Sequence, residues 1–297
     1  MQQAVLPGRG AGAQELTIAA LGSVNLTVPE LAAIRQQSVP RFCERLKPQL
    51  LKHSDEQTLA AIAALAQAIE QMPPCQAADR FANWGVVSAT RYLGRTAFAT
   101  VIDRYKVDGP WGVSVQVIPH TSPHAVASTL GMALDSHGPC AGAGGAPGEE
   151  TQVVLAAASL LRRRAVSGMW MIFSGWRYPA QGATQTADAE PVCLAAALAV
   201  VDTSTPRADD LGTIGRIHIQ PCSARATTTA GKPTHDLIHW LTGRDRRSPT
   251  AQRIALGSMS VEIELHANSP NGNGAAVFVP QFAGNNPLGQ PAFAATR

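Results

Sequence analysis

Charge and aromatic rings are both scarce in this chain: charged residues fill 15% of its 297 positions, and Phe, Trp and Tyr together 5%. A net charge of +3 is too small for a nucleic-acid surface, which needs clustered Lys and Arg. So few rings argue against an aromatic-rich β-sandwich. Long apolar runs are missing too, since EPVCLAAALAVVD is interrupted before it could span a bilayer. Paired cysteines are also lacking. Cys43, Cys75, Cys140, Cys193 and Cys222 show no CxxC pattern and no metal-type spacing, and MQQAVLPGRGAGAQE has no signal-peptide pattern. Together these predict free thiols in a reducing compartment and a soluble cytoplasmic protein. No cofactor and no metal are expected.

What the chain does have is a large apolar share, 45%, carried by Ala, Gly and Val, which suits helices packed closely on a sheet. Residues 1–15 read as a loose lead-in. LTIAALGSVNL (16–26) reads as a buried strand. SDEQTLAAIAALAQAIEQMPP predicts a helix capped by Ser54, with Asp55 and Glu56 in its first turn and Pro73 at its end. WGVVSATRY predicts a strand, and TAFATVIDRYKVDG a helix closing at Gly109. A helix over 122–134 starts at Ser122–Pro123. CAGAGGA then predicts a strand, 149–164 a helix, and MWMIFSGW and PVCLAAALAVVD two more strands. Arg162, Arg163 and Arg164 read as cations at a helix C-terminus, or as an anion or carrier-protein contact. Beyond a polar linker after Asp202, TIGRIHIQPC predicts a strand and PTHDLIHWLTG a short helix. SMSVEIELHAN and AAVFVPQF predict a terminal hairpin around NSPNGNG. Alternating strands and helices of these lengths predict an α/β architecture with a central, mostly parallel, buried sheet.

The order of elements from 16 to 202 resembles the N-terminal half of β-ketoacyl synthases, in the thiolase-like superfamily. The likeness rests on LTIAALGSV, LKHSDEQTLAAIAALAQAI, VIPHTSPHAVASTLGMALDSHGP and AAASLLRRRAVSGMWMIFSGW. Near the end, ANSPNGNGAAVFV, with Gly272 and Gly274, is similar to the family's glycine-rich loop. The resemblance implies a layered αβα core over 16–202, with 208–290 as a shortened second half packing on it. It also implies a homodimer, or a heterodimer with a catalytic ketosynthase, and contact with an acyl carrier protein. No nucleic acid and no membrane span are expected.

In that family a Cys stands about eight residues past the Gly-Pro, where free helix N–H groups and the dipole favour a thiolate. The matching turn here holds Pro147, Gly148 and Glu149, none of which forms a thioester. Cys140 is a candidate displaced nucleophile or a small buried apolar residue. Glu149 and Glu150 are either first-turn acids or an altered general base. The family's histidine motifs have no counterpart. His235 and His239 stand at i, i+4 without an evident third metal ligand. His218 sits on a strand, and Pro123 separates His120 from His124. Three functions follow: a non-catalytic ketosynthase-like subunit of a fatty-acid or polyketide-type pathway, an acyltransferase or decarboxylase using Glu149, Glu150 or a His, or a binding or structural protein that keeps only the fold.

Overall fold

The computed structural model describes residues 13–36, 46, 48–73, 80–114, 117–144, 148–177, 190–205, 211–221, 237–243, 249–256 and 259–267. Its centre is an eight-stranded sheet ordered β3-β2-β4-β5-β1-β6-β8-β7. In chain order the strands are β1 (Gln14–Thr27), β2 (Trp84–Thr90), β3 (Cys140–Gly144), β4 (Gly168–Arg177), β5 (Val192–Asp202), β6 (Gly215–Pro221), β7 (Thr250–Leu256) and β8 (Met259–Leu265). The helices are α1 (Val28–Gln36), α2 (Pro48–His53), α3 (Glu56–Gln71), α4 (Arg95–Asp108), α5 (Val117–Thr121), α6 (His124–Ala133), α7 (Glu149–Arg162) and α8 (Leu237–Gly243).

The layered α/β arrangement is the expected one, but the sheet is mixed. Only β2–β3 and β2–β4 pair in parallel. The pairings β1–β5, β1–β6, β4–β5, β6–β8 and β7–β8 are antiparallel. Helical crossovers carry the chain between β2, β3 and β4, as parallel strands require. β5 returns beside β4 and β8 beside β7, while β6 is added across β1 from β5 and β7 across β8 from β6. Near-continuous apolar runs such as CLAAALAVV signal burial on both faces, which central antiparallel strands share with parallel ones.

Each sheet face has its own core. Trp84, Val86, Trp170, Ile172, Ala195 and Ala197 face a layer made by α1, α3 and α6. Val87, Met169, Met171, Phe173, Leu194 and Leu198 face α7 and α8. Two-residue alternation therefore assigns each side chain to a layer. In β1 that alternation is broken: Ile18 pairs with Val200 and Ala20 with Ala199, so Ala19 is a surplus residue. Leu16 and Ile18 face the α7 layer, both Ala19 and Ala20 face α3, and Leu21 returns to the α7 side. This is a β-bulge.

α3 is buried on almost every side, which explains its nearly uninterrupted Ala, Leu and Ile. It lies so close to β1 that a Cβ on Gly22 would overlap the Ala64 carbonyl oxygen. Phe81, Trp84 and Trp170 fill the space between α3, α6 and the sheet, with ring centroids 5.2 to 5.7 Å apart.

Several local expectations need correction. Asp55, not Ser54, caps α3, accepting the Gln57 amide at 2.8 Å. Ser54 instead donates its hydroxyl to the Leu50 carbonyl of α2 at 2.8 Å. The helix expected from Ser122 is α6, which starts at His124; Pro123 in helical geometry precedes it with no side-chain cap, and a separate short helix, α5, stands before it at Val117–Thr121. A Pro that starts a new helix lacks the N–H to continue the previous one. TAQRIAL, unassigned from sequence, forms β7 and pairs with β8. Both edges of β8 are thus occupied, by β6 and β7, whereas residues 268–282, the expected turn and partner strand, lie outside the described residues.

Candidate functional site

The carboxyl ends of β2, β3 and β4 lie at one end of the sheet, where crossovers open crevices in α/β proteins. Two helix N-termini converge there, those of α3 and α7. Each brings acidic residues out of water.

At α7, Gly148 holds the N-cap position with φ 91°, a left-handed geometry that favours glycine. Glu149 is buried. The Glu150 carboxylate accepts the backbone N–H of Leu237 at 3.1 Å and that of Ile238 at 3.3 Å, the first described residues of α8. α7 thus holds α8 through amides 87 and 88 residues away in sequence. Burial lifts the Glu150 carboxyl from its usual 4.5 to about 7, with Glu149 adding to the rise and the two amides and Arg91 opposing it.

At α3, Asp55 accepts the Gln57 amide and also the Gly94 amide at 3.2 Å, just past β2. Burial foremost, then Glu56, pushes Asp55 from 3.8 to about 6, against the pull of those amides and Arg35. Gln57 is fully buried. Its Oε1 accepts the Ser174 hydroxyl of β4 at 3.0 Å, and its Nε2 donates to the Arg91 carbonyl at 2.9 Å. Arg91 N–H in turn donates to the Ser174 carbonyl at 2.8 Å. Arg35 bridges Glu56 at 3.1 Å and donates to the Ser54 carbonyl at 2.9 Å. The result is a polar knot joining α3 to the ends of β2 and β4.

Sequence reasoning missed that knot as a unit. Its signal was present, because Gln57 and Thr58 are polar residues in the first turn of an otherwise Ala-, Leu- and Ile-rich helix.

The predicted site residues do not all come together. Glu149 and Glu150 stand at the α7 turn as placed by sequence, while Pro147, Gly272, Gly274 and His235 lie outside the described residues. Cys140 is at the start of β3, half-buried, with Sγ facing the Gly138 carbonyl at 3.8 Å. Burial raises its thiol, only partly offset by a backbone hydrogen bond from Val86, so the thiolate is disfavoured. Cys193 is fully buried in β5 and pushed well above the usual range by burial, then by Asp55 and Glu56.

The histidines are scattered. The His120 ring lies 6.3 Å from that of His53, and His124 opens α6. His239 lies within α8. His218 presents Nδ1 to Glu15 at 3.4 Å and Nε2 to Glu264 at 3.6 Å. The two carboxylates therefore address opposite ring nitrogens and do not share a point where an ion could sit. Among the described residues no three His, Cys, Asp or Glu side chains gather into a metal site. Among those residues, too, no helix is long and apolar enough to cross a membrane.

The fold thus defines a layered α/β protein with a mixed sheet and two acid-bearing helix mouths at one end of it. Solved structures similar to it include ketosynthases and chain length factors, of the thiolase-like fold. A ketosynthase in complex with its chain length factor from Xenorhabdus doucetiae shares 10% identity at a TM-score of 0.49, over 84% of this chain and 98% of that one. The ishigamide ketosynthase/chain length factor shares 12% identity at 0.49, over 85% and 100%. A β-ketoacyl synthase from Burkholderia phymatum shares 13% at 0.47, over 79% and 72%. Superposition this loose carries nothing about activity. No protein-family model matches the chain, and no curated protein matches it in sequence.

Proposed function

We infer that the chain is a ketosynthase-like subunit without acyl-transfer chemistry of its own, acting as a chain-length-factor-like partner or carrier-protein scaffold in a fatty-acid or polyketide-type pathway. One observation carries this reading: the α7 mouth, where the resembled family places its nucleophile, bears Glu149 and Glu150, and the Glu150 carboxylate is engaged by two α8 amides. A carboxylate so engaged supports the fold at the spot where a thiolate would otherwise take the acyl group. Cys140, the nearest described thiol, has its proton held more tightly than an ordinary cysteine.

The surface suits a partner. Among the described residues β3 pairs with β2 on one side only, and Ala141, Gly142 and Gly144 are exposed along it. Such an edge leaves backbone donors and acceptors open to a further strand. α4 and the segments after it expose Phe98, Ile102, Tyr105, Trp111 and Ile118, and α6, which packs on β3, exposes Met132. The domain reading goes with this: 16–202 as the ketosynthase-like unit and 208–290 as an abbreviated second half on the same core.

The test pairs two measurements. Co-expression with a catalytic ketosynthase should give a stoichiometric complex, or the chain alone a dimer, by sedimentation. Incubation with an acyl-carrier thioester followed by intact mass should leave the chain unmodified. An acyl adduct on Cys140, or a strictly monomeric chain that ignores ketosynthases and carrier proteins, refutes the proposal.

The second reading, a decarboxylase or acyltransferase of altered chemistry, has one observation in its favour. Glu150 is held near neutrality, where a general acid or base works best. Turnover of an acyl-carrier thioester that disappears in Glu150→Gln would favour it.

A further inference from the structure

Arg162, Arg163 and Arg164 close α7, and all three are exposed. The turn they make is a Schellman motif. The Ala165 N–H donates to the Leu160 carbonyl at 3.3 Å, and the Arg164 N–H to the Leu161 carbonyl at 2.8 Å. Such a turn places one residue in the left-handed region, here Arg164 with φ 53°. Glycine fills that position most readily, because a side chain there is strained. The helix dipole accounts for a cation in the last turn. It does not account for an arginine beyond that turn in a conformation that favours glycine.

Among the described residues none of the three guanidinium groups has an ion-pair or hydrogen-bond partner. The carboxylates nearby are engaged elsewhere. Glu15 holds Arg216 at 2.6 Å, and Asp202 accepts the Ser204 amide at 2.8 Å and its hydroxyl at 2.6 Å. Arg162 shares with both acids an open cleft of about 450 Å³ between the start of β1 and the end of β5.

We propose that Arg162, Arg163 and Arg164 form a docking site for an acidic segment of a partner protein. A helix of 14 residues is ~20 Å long, so this site is separate from the α7 mouth and does not depend on the ketosynthase-like reading. Guanidinium forks match carboxylates two hydrogen bonds at a time. Glu15 and Asp202 beside them repel a continuous polyanion such as nucleic acid, and favour discrete carboxylates that reach the arginines alone. A lipid surface is bound through apolar side chains as well as cations. None of the exposed large apolar residues lies on α7, at the start of β1 or at the end of β5.

Fluorescence anisotropy tests this, with the full chain and a labelled peptide of Glu and Ala as the probe. Wild type should bind it, less tightly as salt rises, and should ignore the same peptide with Gln in place of Glu. The triple variant Arg162→Gln, Arg163→Gln, Arg164→Gln should bind on the order of tenfold more weakly. Arg104→Gln with Lys106→Gln, on α4, should bind as wild type does. Arg164→Gly relieves the strained position, so it should weaken binding while the melting temperature stays equal or rises. That combination separates a docking residue from a helix cap. The proposal is overturned by a wild type that does not bind the Glu peptide, or by a triple variant that binds as wild type. An equal loss in the α4 variant, or a lower melting temperature in Arg164→Gly, also overturns it. So does tighter binding of an oligonucleotide or of phosphatidylglycerol vesicles through the same arginines.

Discussion

Gln57 and Ser174, 117 positions apart, meet in a buried 3.0 Å hydrogen bond in which the serine hydroxyl donates to the amide oxygen. The same glutamine donates to the Arg91 carbonyl, so one side chain ties a helix to two strands. Gln57→Leu preserves volume but leaves the Ser174 hydroxyl and the Arg91 carbonyl without their partner. Because a buried orphan costs ~1–3 kcal/mol, the substitution should destabilise by about 2–4 kcal/mol. A urea titration should show a lower midpoint at unchanged slope.

Acidity should stabilise this protein. Asp55 and Glu150 are both raised, from 3.8 to about 6 and from 4.5 to about 7. Between the unfolded and folded values the native state binds more protons than the unfolded chain. Stability is then highest near pH 4 and declines as pH climbs through 6 and 7. For Asp55 alone the effect is up to roughly 3 kcal/mol. Asp55→Asn keeps an N-cap acceptor and should flatten the profile between pH 4 and 6. A wild-type stability that rises over this range would contradict the assignment.

Gly22 permits the close approach of α3 to β1. Gly22→Ala puts a methyl group into the Ala64 carbonyl, backbone against backbone, with no flexible side chain able to yield. The expected loss is at least ~3 kcal/mol, visible as a sharply reduced melting temperature or insoluble expression.

Gly131 and Cys140 are coupled. A Cβ at Gly131 would stand 2.6 Å from the cysteine sulfur. Gly131→Ala should therefore destabilise by about 1–3 kcal/mol, and Cys140→Ala should recover at least half of that in the double variant. Additive effects in this cycle would mean that the sulfur is not what crowds the position.

Much of the layered core was legible because its elements carry strong, uniform signals. The apolar run of β5, the alternation in β6 and β8, and the Ala-rich α3 ended by Pro73 each follow from local chemistry, although Asp55 rather than the expected Ser54 caps that helix. What stayed hidden depends on partners distant in sequence. Nothing local tells CLAAALAVV whether its neighbours run with it or against it. TAQRIAL has a polar and charged middle, and becomes a strand because β8 offers it an edge. The α7 turn could be located by counting from Gly138–Pro139. That Glu150 would be engaged by the amides of Leu237 and Ile238 could not, since the pairing exists only once the far end of the chain has folded back.

The surplus residue in β1 governs how this strand can be aligned or transplanted. Ahead of Ala19 even-numbered side chains look toward α7, and behind it odd-numbered ones do. A homologue or chimaera without that extra position would point one half of the strand at the wrong layer. Any comparison that threads β1 without a gap there will misplace every contact on one side of it.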